Sequence, residues 1–292
     1  MKRTLIMGAA YVDVVVNVPT LPVSGSDVTG QLMTTMVGGS AFNVYGAMQY
    51  AQAPADLFVP VGQGQYAQLV REQLRTKQIP ELLTVDEADN GWDMSLVEPS
   101  GERSFLTIPG IDQVWRDDWF DRIQLTDYAY VYLSGYQLED AEMAERILTQ
   151  LRRQAPDAII LFDASPRMAY LKPKTVAQLL QPNVIIHCNE TEFCYFAASE
   201  QPMATVAAQI YQQTKQPVII TLGERGTYYY DHGNGEVIAS ERVPVVNTIG
   251  AGDTHCGGML AGLATGQSLP AAIESANQLA AKVVSQQAGS LL

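Results

Sequence analysis

Val246-Asn247-Thr248-Ile249-Gly250-Ala251-Gly252-Asp253 sets two glycines and a carboxylate where a helix is expected to begin. Val243, Val245 and Val246 read as the end of a strand, and the small, apolar, proline-free segment from Thr254 to Thr265 reads as a buried helix. Glycines at a strand-to-helix junction let backbone N–H groups converge on one point, and the helix N-terminus adds a positive partial charge. Together they make an anion hole. A bound phosphate repels a carboxylate at its mouth, so Asp253 suits another task, taking a proton from an incoming hydroxyl. An ordinary turn with Asp253 as N-cap accounts for the same residues.

Outward from this stretch, short runs of valine, isoleucine and leucine alternate with longer helical patterns. Core strands are expected at Thr4–Met7, Leu57–Val61, Tyr128–Leu133, Ile159–Phe162, Val184–His187 and Val218–Leu222. Helices are expected near Ala41–Ala51, Tyr66–Arg75, Ala141–Arg153, Val176–Leu180, Glu190–Ala198 and Ala204–Gln213. Strands buried on both faces and separated by helices imply an α/β fold with a mostly parallel sheet flanked by helices. Ligands in such folds sit at the C-terminal ends of the strands. Two segments break the rhythm. Val12–Val18 with Val28–Met36, and Met94–Val97 with Arg103–Ile108, alternate as hairpin-forming strands, the second pair joined by the turn sequence Glu98-Pro99-Ser100-Gly101-Glu102. They read as a small β-sheet lid, formed by about 12–36 and 93–108, inserted in one domain spanning 1–292.

The 292 residues are 47% hydrophobic and 17% charged, enough to bury a large core. Net charge is -13 with no lysine- or arginine-rich run, which argues against nucleic acid or an anionic membrane surface as a partner. A local loop of N–H groups still accommodates an anionic small molecule. The apolar run after Met1 is broken by Gly8 and Asp13, so it reads as a first strand and not as a signal peptide. Cys188, Cys194 and Cys256 are scattered and odd in number, which fits a reducing, cytoplasmic setting.

Other constellations carry paired readings. Gly38-Gly39-Ser40-Ala41-Phe42-Asn43 permits close backbone approach to a ligand, or is a loop with Ser40 as N-cap. Gly62-Gln63-Gly64-Gln65-Tyr66-Ala67 matches a dinucleotide fingerprint, but it follows a later strand, and the acidic residues about twenty positions on, Asp86 and Glu87, end no second strand. Asn189 and Glu192 fall one turn apart at a helix start, able to organise Mg²⁺ through water and to cap the helix. Thr221-Leu222-Gly223-Glu224-Arg225-Gly226 ends a strand and either backs a ligand or makes a plain hairpin turn. His187-Cys188 and His255-Cys256 match no structural zinc spacing and read as ordinary partly buried side chains. There is no Gly-x-Ser-x-Gly elbow.

Taken in order, Gly8 to Asp13, Gly38-Gly39 to Asn43, Asn189 to Glu192, Thr221-Leu222-Gly223 and Gly250-Ala251-Gly252-Asp253 resemble the ribokinase (pfkB) family of carbohydrate and nucleoside kinases over about residues 4 to 290. The resemblance implies a ribokinase-like α/β fold with a β-sheet lid, ATP as phosphoryl donor, and Mg²⁺. It makes Asp253 the general base and Gly250, Ala251 and Gly252 the anion hole. Asp13, Gly39 and Asn43 match positions that bind acceptor hydroxyls. Asn189 and Glu192 match the motif that organises Mg²⁺ and phosphate, and Thr221, Gly223 and Asn277 match positions lining the nucleotide site. The family also implies a monovalent cation, K⁺, held by backbone oxygens near Asn247, where many members have aspartate. Many members have aspartate at Gly64 as well. Phe162-Asp163-Ala164-Ser165-Pro166-Arg167 resembles the Asp-x-Asn-x-Arg of some sugar-acid kinases, with Ser165 in place of asparagine. Homodimers through lid sheets are common in the family.

The expected acceptor is an unphosphorylated sugar. Asp13 and Asn43 suit a polyhydroxylated ring, and a second phosphate would call for a basic cluster, whereas only Arg103 and Arg167 lie near the motifs. A nucleoside of pseudouridine or adenosine type and a sugar acid are the related alternatives; a non-catalytic binding protein on this fold is the alternative from another class. Trp92 reads either as a stacking surface for the acceptor or as lid packing.

Overall fold

Alternation decides the layers. In the computed structural model, which describes residues 2–197 and 201–292, Leu5, Leu133, Phe162, Ile186 and Ile220 pack into one core cluster. Ile6, Tyr132, Leu161, Ile185 and Ile219, their chain neighbours, pack into a second. Side chains along a strand point alternately to opposite faces, so a sheet with both faces buried must be apolar at every position, as these runs are.

The chain runs β1 (Arg3–Met7), β2 (Tyr11–Asn17), β3 (Gln31–Gly38), α1 (Ser40–Tyr50), β4 (Ala55–Phe58), β5 (Pro60–Val61), α2 (Gln65–Thr76), β6 (Leu83–Thr84), β7 (Trp92–Val97) and β8 (Arg103–Ile108). It continues through β9 (Tyr128–Ser134), α3 (Ala141–Gln154), β10 (Ile159–Asp163), α4 (Pro173–Leu179), β11 (Val184–Asn189), α5 (Glu190–Phe193) and α6 (Met203–Thr214). It ends with β12 (Val218–Thr221), β13 (Thr227–Asp231), β14 (Asn234–Ile238), α7 (Ala251–Ala264) and α8 (Leu269–Val284). The large sheet has the order β14-β13-β12-β11-β10-β9-β1-β4. It is parallel from β4 to β12, and β13 and β14 close its edge antiparallel. Helices α3, α4 and α6 cover one face; α1, α2, α7 and α8 cover the other.

A separate four-stranded sheet has the order β3-β2-β7-β8. Its central pair, β2 and β7, is parallel, with Asp13 opposite Asp93 and Val15 opposite Ser95. The two predicted hairpin pairs are therefore joined side by side.

Some expectations fail for local reasons. Val243–Val246 forms no strand: Val245 and Val246 are exposed, and the N–H groups of Val246 and Asn247 both reach Val284 O. Pro244 has no N–H to offer a ladder. The glycine stretch thus follows an irregular segment. Leu57–Val61 is divided between the large sheet and a two-stranded pairing of β5 with β6, the break falling before Pro60. The second strand of the first pair begins at Gln31, not Val28. The Glu190–Ala198 helix is one α-turn followed by a 3-10 turn, Cys194–Phe196; Ala198 lies outside the described residues. Helix α8 was not anticipated.

Asn90, just before β7, ties its segment to β5 and to the turn between β1 and β2. It is buried; its Oδ1 accepts from Gly62 N at 2.9 Å, and its Nδ2 donates to Pro60 O at 2.9 Å and Ala10 O at 3.4 Å. Asn90→Ala leaves these backbone groups enclosed without partners. We expect a loss of about 3 kcal/mol in urea denaturation; a loss below about 1 kcal/mol would show that the groups find other partners.

Candidate active site

The first turn of α7 and the body of α1 meet over one hydrogen bond. Asn43 Nδ2 donates to Asp253 Oδ2 at 2.9 Å. Gly250, not Asp253, occupies the N-cap of α7, with φ 75 and no side-chain cap. A side chain there is excluded on two counts: that φ is left-handed, and a Cβ would stand 1.9 Å from Gly289 O. At Gly252 a Cβ would meet nothing within 4 Å. The turn is therefore tight behind and open in front, the shape an anion hole needs. Burial, and next the charge of Asp163, push Asp253 up to about 7, against the opposing effects of the Asn43 amide and His187.

Asp163 ends β10 and is the centre of a buried chain. Tyr132 OH donates to Asp163 Oδ2 at 3.2 Å, and His187 Nδ1 lies 3.1 Å from Asp163 Oδ1. His187 Nε2 lies 2.9 Å from His255 Nδ1, and His255 Nε2 lies 3.0 Å from Thr227 Oγ1. Thr227 donates to Asn277 Oδ1 at 2.7 Å. Burial, then the nearby His187, lowers His255 well below its usual range, so it is neutral. The two histidines and Cys256 are wholly buried, more so than the sequence suggested. Among the described residues Asp163, His187 and Cys256 hold metal-ligating atoms within 4.8 Å of one another; Cys256 Sγ is 3.2 Å from His187 Nδ1, so each atom already has a hydrogen-bonding neighbour.

The expected nucleotide side is mixed. Asn189 and Glu192 form a reciprocal capping box: Glu192 N donates to Asn189 Oδ1 and Asn189 N to a Glu192 carboxylate oxygen, both at 2.9 Å. Burial raises the Glu192 carboxyl above its ordinary range, an effect the Asn189 N–H opposes and the charge of Asp163 adds to. Thr221 is the register partner of Asn189, so these strand ends converge. Gly223 (φ 62) opens the turn between β12 and β13 onto empty space, and that turn is a hairpin. Asn277 is different. Its side chain is buried, with Nδ2 donating to Ile238 O at 3.1 Å and Oδ1 accepting from Thr227, so its amide joins β13 and β14.

On the acceptor side, Gly39 (φ 98) is the N-cap of α1 in place of Ser40. Asp13 Oδ2 lies where a Gly38 Cβ would be, 2.4 Å away. Asp13 also shares a hydrogen bond with Asp93, a residue sequence reasoning missed. Nothing along the chain marks that pair, since the register of two strands creates it. Asp163 was legible in the Asp-x-Asn-x-Arg-like segment and His187 as the end of a predicted strand, but not their meeting. Trp92 stacks on Tyr66, 5.0 Å between ring centroids and 19° between planes, which is packing. Arg167 pairs with Glu139 at 3.2 Å, and Arg103 is exposed in its hairpin. The Gly62–Ala67 loop holds no room for a dinucleotide phosphate: the Asp89 carboxylate fills it, accepting from Tyr66 N at 3.2 Å and Ala67 N at 2.7 Å.

A family model described as pfkB family carbohydrate kinase matches residues 1–291, and the chain belongs to that family. A relative described as the uncharacterized sugar kinase YegV, from Escherichia coli, is 32% identical over 292 residues, covering 99% of this chain and 90% of its own. The solved ribokinase of Thermotoga maritima superposes with a TM-score of 0.87 at 18% identity, over 99% of this chain and 95% of its own. Arabidopsis thaliana ribokinase, solved with ribose and ATP, gives 0.81 at 17% identity, over 99% and 94%. The fold is ribokinase-like. Among the described residues no helix is long and apolar enough to cross a membrane.

Burial, then the charge of Asp93, pushes Asp13 up to about 8. A carboxyl raised on folding stabilises the protein below its unfolded pKa, and that stability is lost as pH rises through the folded value, here between about 4 and 8. Asp93→Asn removes the opposing charge. Its melting temperature is expected to exceed that of the parent by about 3 °C at pH 8, and the gain should vanish at pH 4. An equal gain at both pH values would contradict this account.

Proposed function

We propose that this protein transfers the γ-phosphoryl group of ATP to a hydroxyl of an unphosphorylated sugar. The observation that carries the reading is the Asn43–Asp253 hydrogen bond at the glycine-lined start of α7. Asp253 is the general base: raised to about 7, it is basic enough to take a hydroxyl proton and ionised enough at neutral pH to do so. The Gly250-Ala251-Gly252 turn receives the moving phosphoryl group, whose negative charge the Gly250 and Gly252 N–H groups and the helix terminus stabilise, the Ala251 N–H turning back to Thr248 O at 3.3 Å. Asn43 orients the base, and Asp13 with Gly39 receives acceptor hydroxyls.

Thr221 and Gly223 line the nucleotide side with Asn189. Asn277 joins them, with its Oδ1 accepting from Thr227 Oγ1. The donor set fits Mg²⁺: Asp163 raises both Glu192 and Asp253, and a hard cation would relieve that crowding. Glu192 would hold it through water with Asn189 beside it, and it would supply charge neutralisation to the phosphates. K⁺ would sit on backbone oxygens near Asn247. That side chain is engaged already, with Oδ1 accepting from Ile249 N and Nδ2 donating to Gln287 O, both at 3.0 Å.

The acceptor carries no second phosphate or carboxylate, since Asp13 and Asp93 would repel either and Arg167 is bound to Glu139. The four-stranded sheet acts as the lid, excluding water that would otherwise consume ATP. Its exposed Leu32, Met33, Phe105 and Leu106 suit a homodimer through the lid, as apolar sheet faces and edges gain from cover.

Asp253→Asn should lower kcat by about two orders of magnitude or more with ATP affinity nearly unchanged; near-normal turnover would sink the assignment. In the parent protein kcat/KM for the acceptor should rise about tenfold per pH unit below pH 7 and level off above it. A flat profile from pH 5 to 8 would remove Asp253 as the base. Deleting the turn from Glu98 to Arg103 should raise both acceptor KM and ATP hydrolysis without acceptor; unchanged kinetics would remove the lid.

A further inference from the structure

One face of the small sheet is chemically incomplete. Asp93 and Ser95 are two apart on β7 and so point the same way, and Asp13 on β2 is the register partner of Asp93. The other face, with Val14 and Trp92, packs on the core. Ser95 is 2% exposed, yet its Oγ has no hydrogen-bond partner, and neither has the enclosed Asp93 Oδ1. Buried polar atoms are nearly always satisfied; two orphans on one face, beside a carboxyl already placed at the acceptor, ask for donors from outside the protein. Among the described residues, no lysine or arginine is one of the groups that act on Asp13 or Asp93. The two carboxyl groups therefore face each other with no cation between them.

We propose that the acceptor is a polyol bearing a protonated amine, bound by Asp13 and Asp93 together and oriented by Ser95. This rests on the kinase reading of the site. A neutral hydroxyl would satisfy a lone pair but leave two carboxyl groups competing for one proton. An ammonium group donates three hydrogen bonds and supplies the missing charge. It lets both carboxylates ionise, so binding releases the proton they share.

The test is calorimetric binding to the full chain of three matched pairs: glucosamine and glucose, galactosamine and galactose, 1-amino-1-deoxyfructose and fructose. The amino member of at least one pair is expected to bind about tenfold tighter or better. Titration in two buffers of different ionisation enthalpy should show proton release for that amine and none for its neutral partner. Asp93→Asn should bring the preference within about twofold; Asp93→Ser replaces it where the asparagine variant does not fold. Equal binding within every pair, no binding at all, or a preference that survives both variants overturns the proposal. ATP turnover on the same compounds tests the kinase reading separately. Turnover of neutral sugars without an amine preference removes only the amine proposal, whereas amine binding with no turnover of any compound removes only the kinase reading.

Discussion

The bond from Asn43 to Asp253 spans 210 residues of sequence, and it exists because α1 and α7 lie unusually close. A Cβ at Gly257 would stand 2.5 Å from Val44 O and 2.6 Å from Ala47 Cβ. The neighbouring Gly258 lets α8 come in from the other side, where a Cβ would be 2.9 Å from Ala276 Cα. Glycine weakens a helix interior by about 1 kcal/mol relative to alanine. Here the close packing of three helices offsets that cost, and it aims the first turn of α7 at the strand ends. A methyl group at Gly257 would press on Val44 O and Ala47, the contact that brings Asp253 within reach of Asn43.

Hydrogen-bond logic orders the buried chain beneath Asp253. Backbone carbonyls fix the Asn277 amide, so its Oδ1 takes the Thr227 proton. Thr227 has only one, so His255 Nε2 must donate to it. The neutral His255 then accepts at Nδ1 from His187 Nε2, which leaves His187 Nδ1 facing Asp163 Oδ1. The same chain ties β10, β11, β13, α7 and α8 together.

What could be read in advance followed the range of the physics involved. Strand and helix positions depend on local periodicity, and the glycine stretch, the Asn189 cap and the Gly38-Gly39 turn depend on neighbours within a few residues; all were legible. The Val243–Val246 strand was misread because periodicity cannot tell an apolar extended segment that finds no ladder from one that does. Asp93 and the pairing of His187 with His255 were invisible because register and packing create them across 80 and 68 positions. Family resemblance placed Asn277 at the nucleotide site, and the hydrogen bonds of its buried amide to Thr227 and Ile238 were not legible, since packing creates them across 50 and 39 positions.

Two buried carboxylates near the site, Asp163 and Asp93, differ in an instructive way. Asp163 has Tyr132 and His187 as donors, so its charge is answered within the protein. Asp93 has an orphan oxygen and a like-charged partner, so its charge is not. A protein under pressure only for stability would remove such a pair, because an unanswered buried acceptor costs about 1–3 kcal/mol and a polar neutral residue would fit the same strand. Strain of this kind is usually offset by contacts elsewhere and persists where a ligand completes it. The closely packed helices supply that offset on one side of the site, and the small sheet carries the strain on the other.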